Sequence, residues 1–467
     1  MKNGVFPCSD RVKRFIAGLL AAGIAVGAVF GLAACSAPDG GGGEQTPDGG
    51  NGGGTGGGSE DAATFAYAYG DAETVTPFWF NVSGDETVVY NEIVVPILYG
   101  GRTLASGYLA YEPTEIISVR DYTLGREYGK DEYTVSGRRI TVTVDDDAEI
   151  GEGMPYIRDE WLDAKNIPDE FMDNVSPDPA MYNDGGGTNR GKHVVAEGSL
   201  TRTNLLHVTY AFDHTEQDLG FEPQAYTPER FSHLTAKLEA GEPVRMLVLG
   251  DSICVGASAS SFAGFEPNLP TFFDLIADEL AARYYDGDRE MIELVNVSVG
   301  GEASDYGVSV VEGGETDLAD FDFVIIGFGM NDGTLGVTED VFTSNTERMI
   351  DGIREHSPDA DFAVLGCFTP NPRSIFFGIQ SQYIEPVTAL CDEKNTSASG
   401  CTYVGMYDLS SAILQNKQRA SSTQDTRYRY IDISANYTNH PNDFMVRLYA
   451  GSVLSAFLPF ESTAHPV

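Results

Sequence analysis

The sequence predicts a three-layer α/β domain built on a parallel sheet, preceded by a β-sandwich. Three observations carry this prediction. From Arg245 onward, short apolar runs of strand length alternate with stretches whose apolar residues recur at helical spacing, the pattern of a parallel sheet covered on both faces. Before about residue 225 the chain is β-branched and aromatic, with turn residues between short runs, as in a sandwich. The chain has 467 residues, 42% of them hydrophobic and 11% aromatic, so it can bury a large core and holds two or three domains.

The elements follow in order. Lys2, Arg11, Lys13 and Arg14 precede an apolar run from Phe15 to Ala34 that ends in Leu32-Ala33-Ala34-Cys35. Basic residues, an apolar stretch and small residues before a cut describe a secretory signal over residues 1–34. The Leu-Ala-Ala-Cys ending resembles a bacterial lipobox, which implies a lipid on Cys35, attachment to the bacterial cell membrane and an extracytoplasmic location. An uncleaved membrane helix is the other reading of the same run. Residues 35–60 are Gly-rich and polar after Cys35 and read as a flexible tether.

Residues 61–226 read as the β-sandwich. Thr87 to Tyr99 is a β-branched and aromatic run, and Tyr133-Thr134-Val135 with Ile140 to Val144 flanks a Ser136-Gly137 turn as a hairpin. Leu205 to Phe212 is a further alternating run. Asp145 to Lys192 is irregular, acidic and rich in Gly and Pro, a long loop. Asp145-Asp146-Asp147 lacks the spacing of a calcium loop and reads as a solvated acidic turn.

Residues 227–467 read as the α/β domain. Pro228 to Ala240 is a short leading helix capped by Thr227. Met246–Leu249, Ile292–Val299, Phe323–Ile326 and Phe362–Leu365 are strands, and Thr271–Tyr285, Val341–His356 and Asp443–Phe457 are helices.

Charge and cysteine content exclude several functions. Lys and Arg number 29 against 70 Asp and Glu, a net charge of −41. Nucleic acid is excluded as a partner, because phosphate binding needs cationic surface. Six cysteines are too few for a disulfide-dense scaffold. Cys391 and Cys401 flank a polar loop and are the candidate disulfide; buried free thiols are the alternative.

Four short blocks bear chemistry. Gly250-Asp251-Ser252-Ile253 follows the first α/β strand and places a hydroxyl and main-chain N–H groups at the sheet's C-terminal edge. Asn296-Val297-Ser298-Val299-Gly300-Gly301-Glu302 follows the second strand, where glycine lets the backbone approach a ligand. Gly329-Met330-Asn331-Asp332-Gly333 follows the third and offers the Asn331 side-chain N–H. Asn439-His440-Pro441-Asn442-Asp443 opens the last helix and positions a general base. Each block alone reads as an ordinary turn; four in this order do not.

These blocks resemble the SGNH/GDSL hydrolase superfamily, over roughly Val244 to Phe457. The resemblance implies a three-layer, flavodoxin-like SGNH fold, with Ser252 as nucleophile, His440 as base, and an oxyanion hole made of Ser252, Gly301 and Asn331. The phrases around Ser252, Asn331 and His440 are most similar to carbohydrate esterase family 2-like members, whose partner domain is a jelly roll. An acid usually stands three residues before the histidine, where this chain has Tyr437. Asp432 and Asp443 are the local candidates for an acid partner, and a Ser252–His440 dyad is favoured over both. The implied activity is deacetylation of an acylated carbohydrate by a serine esterase, with no metal or cofactor. Two rivals remain: a surface glycan-binding or adhesion lipoprotein with a vestigial site, and an acyltransferase. Trp79 and Trp161 are candidate sugar platforms or core residues.

Overall fold

The β-branched runs of the N-terminal half form two five-stranded sheets in the computed structural model. The described residues are 75–98, 104–143, 157–158, 175–176, 195–196, 202, 204–257, 259–421 and 426–460. Cys35, the leader, the Gly-rich run, Asp145 to Asp147 and Trp161 lie outside them.

The first strands are β1 (Val82–Ser83), β2 (Glu86–Val94), β3 (Ile97–Leu98), β4 (Leu104–Tyr108), β5 (Glu115–Asp121) and β6 (Arg126–Glu127). They are followed by β7 (Tyr133–Ser136), β8 (Arg139–Thr143), β9 (Ile157–Arg158), β10 (Val175–Ser176), β11 (Val195–Ala196) and β12 (Leu206–Asp213). One sheet has the order β1-β2-β12-β5-β6 and the other β7-β8-β4-β3-β9. Strands β7 and β8 pair antiparallel around Gly137, whose φ of +57° suits the left-handed turn position. The Thr87–Tyr99 run divides into β2 and β3 around Pro96, which has no N–H for a ladder.

The second half holds β13 (Val244–Gly250), β14 (Ile292–Asn296), β15 (Phe323–Gly327), β16 (Asp361–Leu365) and β17 (Cys401–Val404). They form one parallel sheet in the order β14-β13-β15-β16-β17. The chain order reverses between β13 and β15, so the crevice outside their C-terminal ends is the natural binding position. Along β13, Met246 and Val248 enter one apolar cluster while Leu247 and Leu249 enter another. That alternation shows a sheet buried on both faces.

The helices are α1 (Ser232–Ala240), α2 (Ser252–Val255), α3 (Ser260–Ala263), α4 (Phe272–Tyr284), α5 (Ser304–Gly313) and α6 (Met330–Leu335). After them come α7 (Glu339–His356), α8 (Ile384–Lys394), α9 (Met406–Ala420) and α10 (Asp443–Ser455). Helix α4 packs on α10, and α5 on α7. Thr271 caps α4 by accepting from the Asp274 N–H. Thr227 does not cap in this way: a 3-10 turn over Pro228–Phe231 intervenes, and α1 starts after Phe231.

The cluster containing Met246 and Val248 continues into Val89, Val94, Leu206 and Phe212, so sandwich and parallel sheet share a core. Two buried cations and one buried carboxylate, itself paired with a third cation, grip one stretch of the sandwich. Arg447 of α10 donates to the carbonyls of Tyr90 (2.7 Å) and Asn91 (2.9 Å). Lys417 of α9 donates to those of Ile93 and Tyr108 at 3.0 Å and pairs with Glu92. Arg429 pairs with Asp432 at 3.0 Å, and Asp432 accepts from the Val95 N–H at 2.8 Å.

The structure bears on two readings that the sequence leaves open. Cys391 and Cys401 are buried free thiols in the apolar cluster beneath α8 and β17. The polar loop between them closes without a disulfide, through the Thr396 N–H to the Ser399 carbonyl and the Ser399 N–H to Thr396 Oγ1, both 3.0 Å. Trp79 is half-buried and packs against the core, edge-on to Phe78 and Phe221 with ring centroids 5.2 and 5.3 Å apart.

Candidate active site

Ser252 is the first residue of α2, at the end of β13. The strand ends on Gly250, where a Cβ would lie 2.3 Å from the Gly327 carbonyl and 2.6 Å from Cys254 Sγ, so no larger residue fits without a shift. Asp251 then caps α2, accepting from the Ile253 N–H at 3.0 Å. Gly256, at φ +96°, ends the helix after one turn. The result is a half-buried hydroxyl fixed by a strand on one side and a tight turn on the other.

Ser252 Oγ lies 2.8 Å from His440 Nε2, which joins residues 188 positions apart. His440 precedes α10, whose cap is Asn442 accepting from the Met445 N–H at 3.2 Å. The histidine is nine-tenths buried, at 8% exposure.

The loop after β14 lies beside the serine. Its start is held by the Val299 N–H to the Gly250 carbonyl (3.1 Å) and by Asn296 Nδ2 to the Cys254 carbonyl (2.7 Å). A Cβ on Gly300 would lie 3.6 Å from Ser252 Cβ, and Gly301 adopts φ +83°. Asn331, first turn of α6, donates Nδ2 to the Glu302 carbonyl at 2.8 Å. An amide carries two N–H hydrogens, so one is held by this bond and the other remains for a ligand. Asp332 ties the same loops together, accepting from the Ser304 N–H at 3.0 Å, Ser304 Oγ at 2.5 Å and the Gly329 N–H at 3.2 Å.

The two carboxylates considered as partners of His440 have partners of their own. Asp432 accepts from Val95 and Arg429, as described above. Asp443 accepts from the Ser260 N–H at 2.9 Å and lies near the charges of Arg202 and Arg447. Burial pushes the Asp443 carboxyl upward. Burial raises the Asp251 carboxyl to about 7 against the pull of the Ile253 N–H and of His440. Arg202, from the segment preceding β12, reaches this site and donates to the Ala257 carbonyl at 3.0 Å.

Two contributors were not singled out from sequence: Asn371 and Asn436. Asn371, after β16, donates Nδ2 to the Tyr437 carbonyl at 2.8 Å. Asn436 organises the turn before His440. The signal available was the density of asparagine at 436, 439 and 442, a residue that bonds nearby main chain. Among the described residues there is no group of His, Cys, Asp and Glu able to hold a metal.

A hydroxyl touching an imidazole, on the first turn of a helix and beside a glycine loop, is an arrangement that suits acyl transfer. Residues 248–447 match the model of the GDSL-like Lipase/Acylhydrolase family. Among solved structures, the chain is similar to a two-domain esterase active on acetylated mannans, with 18% identity and a TM-score of 0.36 over 50% of this chain and 55% of that one. The chain thus spans about half the length of that esterase, 55%. It is also similar to a carbohydrate esterase family 3 protein from Talaromyces cellulolyticus, with 12% identity, a TM-score of 0.32, and 45% and 94% coverage. An acetylxylan esterase from Geobacillus stearothermophilus gives 15% identity, a TM-score of 0.34, and 48% and 98% coverage. No curated protein matches the chain. Over residues 248–447, which hold Ser252, Gly301, Asn331 and His440, the chain is thus similar to the GDSL-like Lipase/Acylhydrolase family.

Proposed function

We propose that the protein is an extracytoplasmic serine esterase that removes O-acetyl groups from a carbohydrate. The observation that carries the esterase reading is the 2.8 Å contact between Ser252 Oγ and His440 Nε2. As Ser252 Oγ bonds to the acyl carbon, its proton passes to His440 Nε2. The carbonyl oxygen becomes an oxyanion, held by the N–H groups of Ser252 and Gly301 and by the second Nδ2 hydrogen of Asn331. The carbon–oxygen bond to the sugar breaks as His440 returns the proton to the leaving alcohol, leaving acyl-Ser252. Water then attacks with His440 as base, and acetate departs.

The sugar acetate as substrate rests on the resemblance of the blocks around Ser252, Asn331 and His440 to family 2-like carbohydrate esterases. Export and lipid attachment at Cys35 rest on the Leu32-Ala33-Ala34-Cys35 ending. Among the described residues no helix is long and apolar enough to cross a membrane.

Acetate release from a panel of acetylated polysaccharides tests the reading, run with and without a free sugar acceptor. Release into water from at least one polymer is expected. Acetyl appearing mainly on the acceptor would make the protein an acyltransferase. Polymer binding without release would make the site vestigial, a reading that Tyr437 in the acid's place favours.

A further inference from the structure

We propose that Asn436 is a positioning residue that fixes His440 for proton transfer with Ser252, an inference that rests on the esterase reading above. His440 sits near the tip of a small hairpin. Its arms are joined by the Ala435 N–H to the His440 carbonyl (2.9 Å) and the Asn442 N–H to the Ile433 carbonyl (3.0 Å). Within the tip, Asn436 Oδ1 accepts from three consecutive main-chain N–H groups, those of Thr438, Asn439 and His440, each at 3.0 Å. Its Nδ2 donates to Asn439 Oδ1 at 3.0 Å. Asn436 is 2% exposed, so these bonds have little competition from water.

The turn needs such a hub. Tyr437 has φ +65°, a left-handed conformation that a bulky residue adopts only when its surroundings impose it. Asn436 imposes it from inside the turn. Asn371 does so from outside, through Nδ2 to the Tyr437 carbonyl and its N–H to the Thr438 carbonyl, both 2.8 Å.

The third of the three N–H groups belongs to His440 itself. The amide oxygen therefore sets where the His440 backbone lies, and with it where Nε2 meets Ser252 Oγ. Asparagine does what neither neighbour in its chemical class can do as well. Alanine has no acceptor. Aspartate keeps the acceptor but loses the Nδ2 donor to Asn439. Glutamine keeps both groups but carries the acceptor one methylene too far.

The test is steady-state hydrolysis of a small acetyl ester by the full chain, with thermal melting of each variant. Asn436→Ala and Asn436→Gln are expected to stay folded and lose about 10²-fold in kcat with KM within about threefold, as expected for a displacement near 1 Å. Asn436→Asp is expected to recover to within about tenfold of wild type. A folded Asn436→Ala or Asn436→Gln with kcat within threefold of wild type would overturn the assignment, as would equal loss in Asn436→Asp and Asn436→Gln. If alanine prevents folding, the contrast between Gln and Asp decides. Ser252→Ala in the same assay separates the two claims: turnover that survives it refutes the esterase reading, whatever the Asn436 variants do.

Discussion

The carboxylate of Asp432 accepts a hydrogen bond from the main-chain N–H of Val95 at 2.8 Å, across 337 positions of chain. Its other oxygen meets Arg429 at 3.0 Å, and both side chains are fully buried. Asp432 therefore belongs to the joint between sandwich and parallel sheet. Asp432→Asn breaks the buried Arg429–Asp432 ion pair, which costs about 3–5 kcal/mol of stability. Activity of the folded variant is expected to stay within about tenfold, whereas loss of a triad Asp costs roughly 10⁴ in kcat. Urea melts and kinetics at low temperature on one preparation separate the two effects.

Asp443→Asn is expected to leave kcat within about tenfold as well. Its oxygen accepts from the Ser260 N–H, and an amide oxygen can do the same. A kcat loss near 10⁴ with the fold intact would place Asp443 in a triad.

Asn331→Ala is expected to lower kcat by about 10²–10³ with little change in KM. An oxyanion donor acts mainly on the transition state. The Glu302 carbonyl holds one Asn331 hydrogen in place at 2.8 Å and so orients the other. An effect confined to KM would assign Asn331 to substrate binding.

Stability should depend on pH through Asp251. Burial raises its carboxyl from 3.8 to about 7 in the folded state. Between those values the folded protein holds more protons at this position than the unfolded chain, so the contribution to stability falls as pH rises. Asp251→Asn retains an acceptor for the Ile253 N–H and removes the charge. The variant is expected to gain on wild type from pH 4 to pH 8 in urea midpoints. A constant gap between the two proteins would contradict the shift.

Much of this site was legible because its residues are local in sequence. Strand periodicity placed β13, β15 and β16, and the Gly-Asp-Ser and Gly-Met-Asn-Asp blocks sit at the strand ends where a parallel sheet binds ligands. The hairpin of β7 and β8 was equally visible from its turn. What could not be read was long-range. Nothing near Glu92 marks it as the partner of Lys417, and Asp432 could be taken for a catalytic acid because its true donor, Val95, lies in the other half. Helices α5, α8 and α9 and strand β17 were not assigned, and Cys391 and Cys401 looked like loop ends although packing makes them core.

The Glu92–Lys417 pair gives the joint its own test. Both side chains are fully buried, and Tyr210 donates to Glu92 at 2.5 Å. Lys417→Met is expected to cost about 3–5 kcal/mol because it strands a buried carboxylate. Adding Glu92→Gln to it should recover part of that loss in urea melts. Additive losses would show that the two residues are not coupled.

Ser252 as the nucleophile is the central claim, and hydrolysis of a small acetyl ester by Ser252→Ala tests it most directly. Alanine removes the atom that forms the acyl-enzyme and leaves the turn, which is held by Gly250, Asp251 and Gly256, in place. Acetate release is expected to fall to the uncatalysed level while the melting temperature stays within a few degrees of wild type. A folded Ser252→Ala protein that keeps most of its turnover would contradict the account.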